Sequence, residues 1–359
     1  MAKQNPDKIL LFCVLFLLAL GSLMIFGISA PSSQETFGKT YVYLTHQLVR
    51  GIIPGIILGF FVFKINISYL KKFSLPLFLI NLFLLLLVFV PQIGSEAGGA
   101  KRWLQIGPIS FQPSEFLKIT LFLYLAAWLE KKSKKDWQSF LTFLGILGTI
   151  ALLLALQPDI GTLLLLLGIS FLVYFIAETP MSHFFVMGAL GITAFFFLIY
   201  TAPYRMQRFL TFLNPQLDPM GMGYQIKQAQ ITIGSGGILG KGFGMSAQKF
   251  GFLPYPKSDS IFAVLCEETG LLGSFILIVF FVIFLIRGVK ISKEAKNSFS
   301  KLLAWAITLQ IAFQALLNIG SMTGISPLTG IPLPFISFGG THIIVELIGI
   351  GILLNIARE

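Results

Sequence analysis

The sequence predicts an all-α polytopic membrane protein of about ten transmembrane helices, and three observations carry that prediction. Of 359 residues, 55% are hydrophobic and only 11% charged, whereas soluble domains run at about 25% charged. Mean hydropathy is +0.85, and apolar runs recur along the whole chain at close to the roughly 20 residues that a bilayer-spanning helix needs. The basic residues behind the net charge of +11 sit in short loops between those runs. That distribution reads as membrane topology and contact with anionic lipid, not as nucleic-acid binding. A single integral membrane domain, 1–359, is expected, with no room for a large soluble one.

The runs fall at 9–30, 47–63, 75–91, 113–129, 138–156, 160–177, 183–200, 260–286, 302–320 and 340–357. The first follows a charged lead, Lys3 and Lys8, and ends at Ser29-Ala30-Pro31, a poor cleavage site, so it reads as a retained span and not a signal peptide. The fourth is the least regular, because Glu115 and Lys118 lie within it. Cys13 and Cys266 both fall inside spans, which argues against a disulfide. Lys64, Lys71 and Lys72 share one loop; Lys131, Lys132, Lys134 and Lys135 share another; Arg287, Lys290, Lys293, Lys296 and Lys301 share a third. With Lys3, Lys8 and Arg358 they occupy alternate loops, so the positive-inside rule places both termini in the cytoplasm.

Four loops then face outward: 31–46, 92–112, the long 201–259 between helices 7 and 8, and 321–339. The last carries Pro327, Pro332 and Pro334 among glycines and serines. Such backbone at membrane depth is tolerated only where it is buried in protein or lines a wet cavity. Within 201–259, the piece from Tyr224 to Ile233 has an amphipathic pattern suited to the interface.

Candidate chemistry gathers on that side. Asp259 stands where the loop passes into an apolar helix, with Glu267 and Glu268 about two turns further on. An ionisable residue in a span faces a partner or a wet cavity, yet Ser258-Asp259-Ser260 also suits a helix N-cap. Glu115 and Lys118, three apart, share a helix face and can pair. Asp159, in Gln157-Pro158-Asp159, reads first as a cap for the next helix. Arg102, Arg205 and Arg208 lie on the side that disfavours positive charge, and their forked donors suit phosphate oxygens. Glu346 has no obvious partner in sequence, and His342, one turn earlier, could supply one. Ile233 to Gly242 looks like a phosphate cradle but lacks the strand–turn–helix setting, so close backbone packing or a hinge fits better. No metal-ligand spacing, Ser-His-Asp arrangement or nucleotide motif stands out. A base, several cations and a hydrocarbon setting point to a lipid-linked phosphate substrate.

Taken together, the motifs resemble the SEDS family (shape, elongation, division and sporulation). They are Gly99-Ala100-Lys101-Arg102-Trp103, Gln112-Pro113-Ser114-Glu115, Gln157 to Thr162, Arg205 to Pro215, Gly223-Tyr224-Gln225 and the signature from Asn318 to Gly340. Gly242 to Lys249 looks closer to the division branch, FtsW, than to the elongation branch, RodA. The resemblance implies a SEDS-type fold in the bacterial cytoplasmic (inner) membrane and a peptidoglycan glycosyltransferase that polymerises lipid II and releases undecaprenyl diphosphate. It also implies a divalent cation, Mg2+ or Mn2+, a class B penicillin-binding protein as partner, and other divisome or elongasome membrane proteins. The family's essential aspartate maps to Asp259. Arg102, Trp103, Glu115, Lys118, Asp159, Arg205, Arg208, Lys257 and Ser337 are the substrate-binding candidates. Tyr255-Pro256-Lys257, Ser260, Phe338 and His342 depart from the family's usual residues. Lys257, beside Asp259, would lower the carboxylate's pKa by proximity. Asp259 is then expected to act as general base, with the arginines and the cation stabilising the diphosphate. A lipid II flippase and a scaffold that activates the synthase are the alternatives.

Overall fold

The computed structural model describes residues 6–97, 100–107, 109–131, 136–200 and 203–359. Lys3, Gly98, Gly99, Lys132, Lys134 and Lys135 lie outside the described residues.

Each of the ten expected runs is a helix. α1 spans Lys8–Phe37. α2 (Val42–Gln47) passes through a π-helical turn, Leu48–Ile52, into α3 (Ile53–Lys64). α4 is Ile67–Leu87, α5 Pro113–Lys131, α6 Trp137–Leu156, α7 Ile160–Ile176 and α8 Met181–Tyr200. Two shorter helices, α9 (Pro203–Leu213) and α10 (Met222–Ser235), occupy the long loop. α11 (Ile261–Glu294), α12 (Ser298–Thr323) and α13 (Gly340–Arg358) complete the chain. Among the described residues, seven helices are long and apolar enough to cross a membrane, α2–α3 counting as one, and α7 and α8 are shorter apolar helices. α5 falls outside both groups, consistent with Glu115 and Lys118 in its first turns and Glu130 and Lys131 in its last.

One feature departs from an all-helical reading. The loop 92–112 carries a three-stranded antiparallel sheet, β1 (Gly94–Ala97), β2 (Ala100–Ile106) and β3 (Ile109–Phe111), in the order β1-β2-β3. Leu104 on β2 is fully buried and pairs with Gly94 and Phe111 on either side. Strands this short give too weak a periodic signal to be seen beside the neighbouring spans.

Close approach of backbones sets the packing of α13 on α3. A Cβ on Gly59 would lie 2.6 Å from the Leu347 carbonyl, and one on Gly351 would lie 2.2 Å from the Gly59 carbonyl. Where lipid removes the hydrophobic drive between helices, small residues of this kind let them touch.

The glycine-rich stretch between α10 and α11 packs into a break in α11. Gly270 has φ 68° and ψ −166°, so the helix is interrupted there. An unbroken helix would bond Leu271 N–H to Glu267 C=O and Leu272 N–H to Glu268 C=O. All four groups are instead satisfied by the loop. Lys241 N–H donates to Glu267 C=O (2.9 Å), Gly242 N–H to Glu268 C=O (3.0 Å), Leu271 N–H to Gly237 C=O (2.9 Å) and Leu272 N–H to Ile238 C=O (3.1 Å). A chain that breaks a span must re-pair the freed groups within the protein, and glycines at Gly236, Gly240 and Gly270 allow the contact. Glu267 and Glu268 are thereby tied to the loop: Glu267 accepts from Lys241 Nζ (2.7 Å), Ser235 Oγ (3.3 Å) and Ser246 Oγ, and Glu268 pairs with Lys249 (3.7 Å). These two carboxylates hold the loop and do not line the cavity described next.

Candidate active site

At the end of the bundle where α5, α7, α11 and α13 begin, a cavity of about 210 Å³ opens among them, β2 and the loop before α13. Asp259, Asp159, Glu115, Arg102, Trp103 and His342 are among the residues that line it.

Asp259 is positioned through its backbone. Asn318, near the end of α12, donates from its side-chain amide to the Asp259 carbonyl (2.9 Å) and to the Ile331 carbonyl (2.8 Å). One amide therefore joins the turn before α11 to the proline-rich loop. Ser337 Oγ reinforces the junction by donating to the Ser258 carbonyl (2.7 Å) while accepting from Leu333 N–H (2.8 Å), and Phe338 N–H donates to the Lys257 carbonyl (2.9 Å). On the opposite side, Gln47 accepts from Gly339 N–H (2.9 Å) and donates to the Ser337 carbonyl (3.1 Å).

The carboxylate is left available. The residue capping α11 is Ser260, with no side-chain cap bond, so the capping role open to Asp259 in the sequence is not taken. A Cβ built on Gly330, which has φ +69°, would sit 3.7 Å from Asp259 Oδ2. A side chain there would start in van der Waals contact with the carboxylate, and the positive φ would strain its backbone. Burial pushes the Asp259 carboxyl above its ordinary range, and the positive charges of Arg208 and then Arg102 act in the opposite direction.

Arg102 is anchored by donating Nε–H to the Gln157 carbonyl (3.1 Å) and Nη2–H to the Pro158 carbonyl (2.5 Å). This ties β2 to the α6–α7 turn and holds a guanidinium at the cavity wall. Asp159 precedes α7 but makes no side-chain cap bond there. Its Oδ2 accepts from Ser114 Oγ (2.9 Å) and Gln112 Nε2 (3.3 Å), so the expected cap is a cavity-wall carboxylate held by the start of α5.

Beneath the cavity runs a buried polar chain. Lys118 Nζ donates to Glu115 (2.8 Å) and to Gln314 Oε1 (3.2 Å). Gln314 Nε2 donates to Glu346 Oε1 (3.1 Å) and to the Pro332 carbonyl (3.1 Å), and Phe335 N–H donates to Glu346 Oε2 (2.8 Å). The expected Glu115–Lys118 pair is formed. The suggested His342–Glu346 pair is not, because His342 Nε2 faces the Ser337 carbonyl (3.1 Å), while Glu346 holds the proline-rich loop through Phe335.

Five sequence candidates are not among the residues that line the cavity: Lys118, in the polar chain beneath it, Arg208, whose charge still acts on Asp259, and Lys257, Ser337 and Arg205. Lys257 does not face Asp259: its ammonium lies over the Tyr43 ring at 3.5 Å and reaches Ser32 Oγ at 3.3 Å, because neighbouring residues of the turn point apart. The expected lowering of the Asp259 pKa does not result: burial raises it, and the charges that oppose the rise are those of Arg208 and then Arg102. Ser337, fully buried, pins loops together. Arg205 donates to the Ala155 carbonyl (3.1 Å) at the end of α6. Conversely, Gln314 and Gln47 hold the loops of the site and are not among the sequence candidates. Gln310, Gln314 and Asn318 recur every fourth residue on an apolar span, and a polar stripe of that period was the available signal.

Among the described residues, no three His, Cys, Asp or Glu side chains gather to hold a metal ion. The carboxylates that line the cavity are those of Glu115, Asp159 and Asp259.

The model of the FtsW/RodA/SpoVE cell cycle proteins matches residues 7–359. The chain is 37% identical over 359 residues to "Stage V sporulation protein E" of Bacillus subtilis (strain 168), covering 99% of this chain and 98% of that protein. It is 35% identical over 359 residues to "Probable peptidoglycan glycosyltransferase FtsW" of Geobacter sp. (strain M18), with 99% and 98% covered. Among solved structures, it is similar to a chain from a peptidoglycan synthase complex described as coordinating polymerization and crosslinking, with TM-score 0.82, 30% identity and 98% of both chains covered. It is also similar to the rod shape determining protein RodA of Thermus thermophilus, with TM-score 0.73, 28% identity and 98% and 97% covered. The chain belongs to the FtsW/RodA/SpoVE family of cell cycle proteins.

Proposed function

We propose that this chain is a peptidoglycan glycosyltransferase whose reaction is centred on Asp259. The observation that carries the reading is the state of that residue: its backbone is pinned by Asn318, while its carboxylate lines a cavity walled by Arg102 and Asp159. In the proposed reaction, Asp259 takes the proton from a sugar 4-hydroxyl of one lipid II molecule. The oxygen attacks the anomeric carbon of the growing strand's lipid-linked end, the bond from that carbon to the diphosphate breaks, and undecaprenyl diphosphate leaves. Proton transfer by a positioned carboxylate contributes about 10²–10⁴-fold. Arg102 and Arg208 stand where the leaving diphosphate gathers charge.

Asp159 would hold a divalent cation jointly with the diphosphate, as Mg2+ is commonly bound by one or two carboxylates plus substrate phosphates. Such an ion, when bound, neutralises charge on the leaving group. The protein acts in the bacterial cytoplasmic membrane with both termini cytoplasmic and the Asp259 end outward, a reading supported by the alternation of basic loops. A class B penicillin-binding protein is its partner, and septal synthesis its setting.

The test is polymerisation of lipid II by purified protein with its partner, wild type against Asp259→Asn, at matched folding. Glycan strands from the wild type alone are expected. Equal polymer from both would remove Asp259 from the chemistry. Transport of labelled lipid II without polymer from either would favour a flippase.

A further inference from the structure

The end of the bundle opposite Asp259 holds a second cavity that the glycosyl-transfer reading does not use. It measures about 690 Å³ and opens between the first turns of α4 and the last turns of α5. Lys71, Lys72 and Lys131 stand at its rim, and Leu75, Pro76, Tyr124 and Trp128 form its apolar wall. The charges do not cancel. Lys71 pairs with Glu130, while Lys72 and Lys131 are exposed and have no ion pair among the described residues.

The apolar wall is ordered. Phe78 stacks on Tyr124 at 4.9 Å between ring centroids, and Trp128 stacks on Phe143 at 6.4 Å. Pro76, inside α4, cannot donate to the carbonyl of Lys72, which leaves that acceptor free of its helical bond next to the groove. Cations at a span's end above a tyrosine and a tryptophan match the level where headgroup gives way to acyl chain. Basic pockets between spans suit anionic headgroups.

We infer that this groove is a binding site for an anionic phospholipid, its phosphate held by Lys72 and Lys131 and one acyl chain lying against Tyr124, Trp128 and Leu75. A zwitterionic lipid carries its own cation into an already positive rim and is disfavoured. The groove lies in the leaflet away from Asp259, so its occupant is not the lipid undergoing glycosyl transfer.

The experiment is native mass spectrometry of the full chain in detergent, titrated with phosphatidylglycerol and, separately, phosphatidylcholine. Preferential retention of phosphatidylglycerol is expected. The double variant Lys72→Gln/Lys131→Gln should lose about fivefold in affinity for each lysine removed, with phosphatidylcholine unaffected. The double variant Lys290→Gln/Lys296→Gln, which removes two charges at the same end, one from the last turns of α11 and one from the α11–α12 loop, should leave retention unchanged. Equal loss in both variants would make the effect general surface charge and overturn the site. So would equal retention of the two lipids by wild type, or displacement of the lipid by millimolar inorganic phosphate, which would mark a bare-anion site. A photoreactive phosphatidylglycerol on wild-type protein gives a measurement free of any variant. Labelling within 68–76 and 124–131 supports the site, and labelling confined to other segments refutes it.

Discussion

The buried ion pair under the cavity makes the sharpest stability prediction. The side chains of Lys118 and Glu115 are 2% and 7% exposed, and Lys118 also supplies a donor to Gln314. Lys118→Met removes the cation and leaves a carboxylate and an amide oxygen without it. Breaking a buried pair from one side costs about 3–5 kcal/mol, because the remaining charge is uncompensated. That corresponds to roughly two to four powers of ten in the folding equilibrium. Glu115→Gln/Lys118→Met removes both charges together, and replacing a whole buried pair is often close to neutral. The expected double-mutant cycle therefore shows a coupling of about 2 kcal/mol or more, with the double variant more stable than Lys118→Met alone. The assay is reversible unfolding in mixed micelles across all four proteins. A cost below about 1 kcal/mol for Lys118→Met, or a double variant equal to the sum of the singles, would refute the reasoning. Glu115 would then be solvated through the cavity it lines.

Three further predictions concern the site and the loop that supports it. Polymerisation should fall on the acid side at a pH above the ordinary carboxylate range, because Asp259 must be charged to accept a proton and burial raises its pKa. Arg208→Gln should move that limb to higher pH by removing a lowering charge, whereas Lys257→Gln, facing Tyr43, should leave it in place; pH–rate profiles of the three proteins decide this. The same raised pKa means that folding is penalised as pH climbs past the ordinary Asp value toward the folded one. Asp259→Asn should therefore unfold no earlier than wild type at neutral pH, measured by thermal melting. Gly270→Ala should destabilise by at least about 1–3 kcal/mol, since its Cβ would meet Gly240 N and the Ile238 carbonyl at 2.4 Å. Micelle unfolding reads the loss, and a neutral result would mean the loop and the α11 break are not locked together.

Some of the site could be read before any fold was known, for identifiable reasons. Glu115 and Lys118 are three apart on one helix, so their pairing is a local consequence of helical geometry, and it is formed at 2.8 Å. For the glycines from Gly234 to Gly242 the sequence offers close backbone packing or a hinge, and the packing is realised at Gly236 and Gly240, where a Cβ would meet the Cys266 and Glu268 carbonyls. Asp159 and Lys257 were read less well, as a cap and as a neighbour of Asp259. Each reading used the residues adjacent in sequence, while the side chains answer to Ser114 and Tyr43, which are distant in sequence. The sheet at 94–111 was too short to announce itself.

By itself, the sequence determined the membrane-spanning class, the ten helices, the alternation of basic loops and the candidacy of Asp259. Those features rest on composition and short-range periodicity, which a bilayer enforces span by span. Only the tertiary structure decided that Asp259 is a cavity carboxylate and not a helix cap. It also decided that Glu346 serves the proline-rich loop and not His342, and that four backbone groups freed at Gly270 are met by a loop about 30 residues earlier. Burial at membrane depth requires every polar group to find a partner, and the partner is set by which spans pack together, a relation that local sequence does not carry.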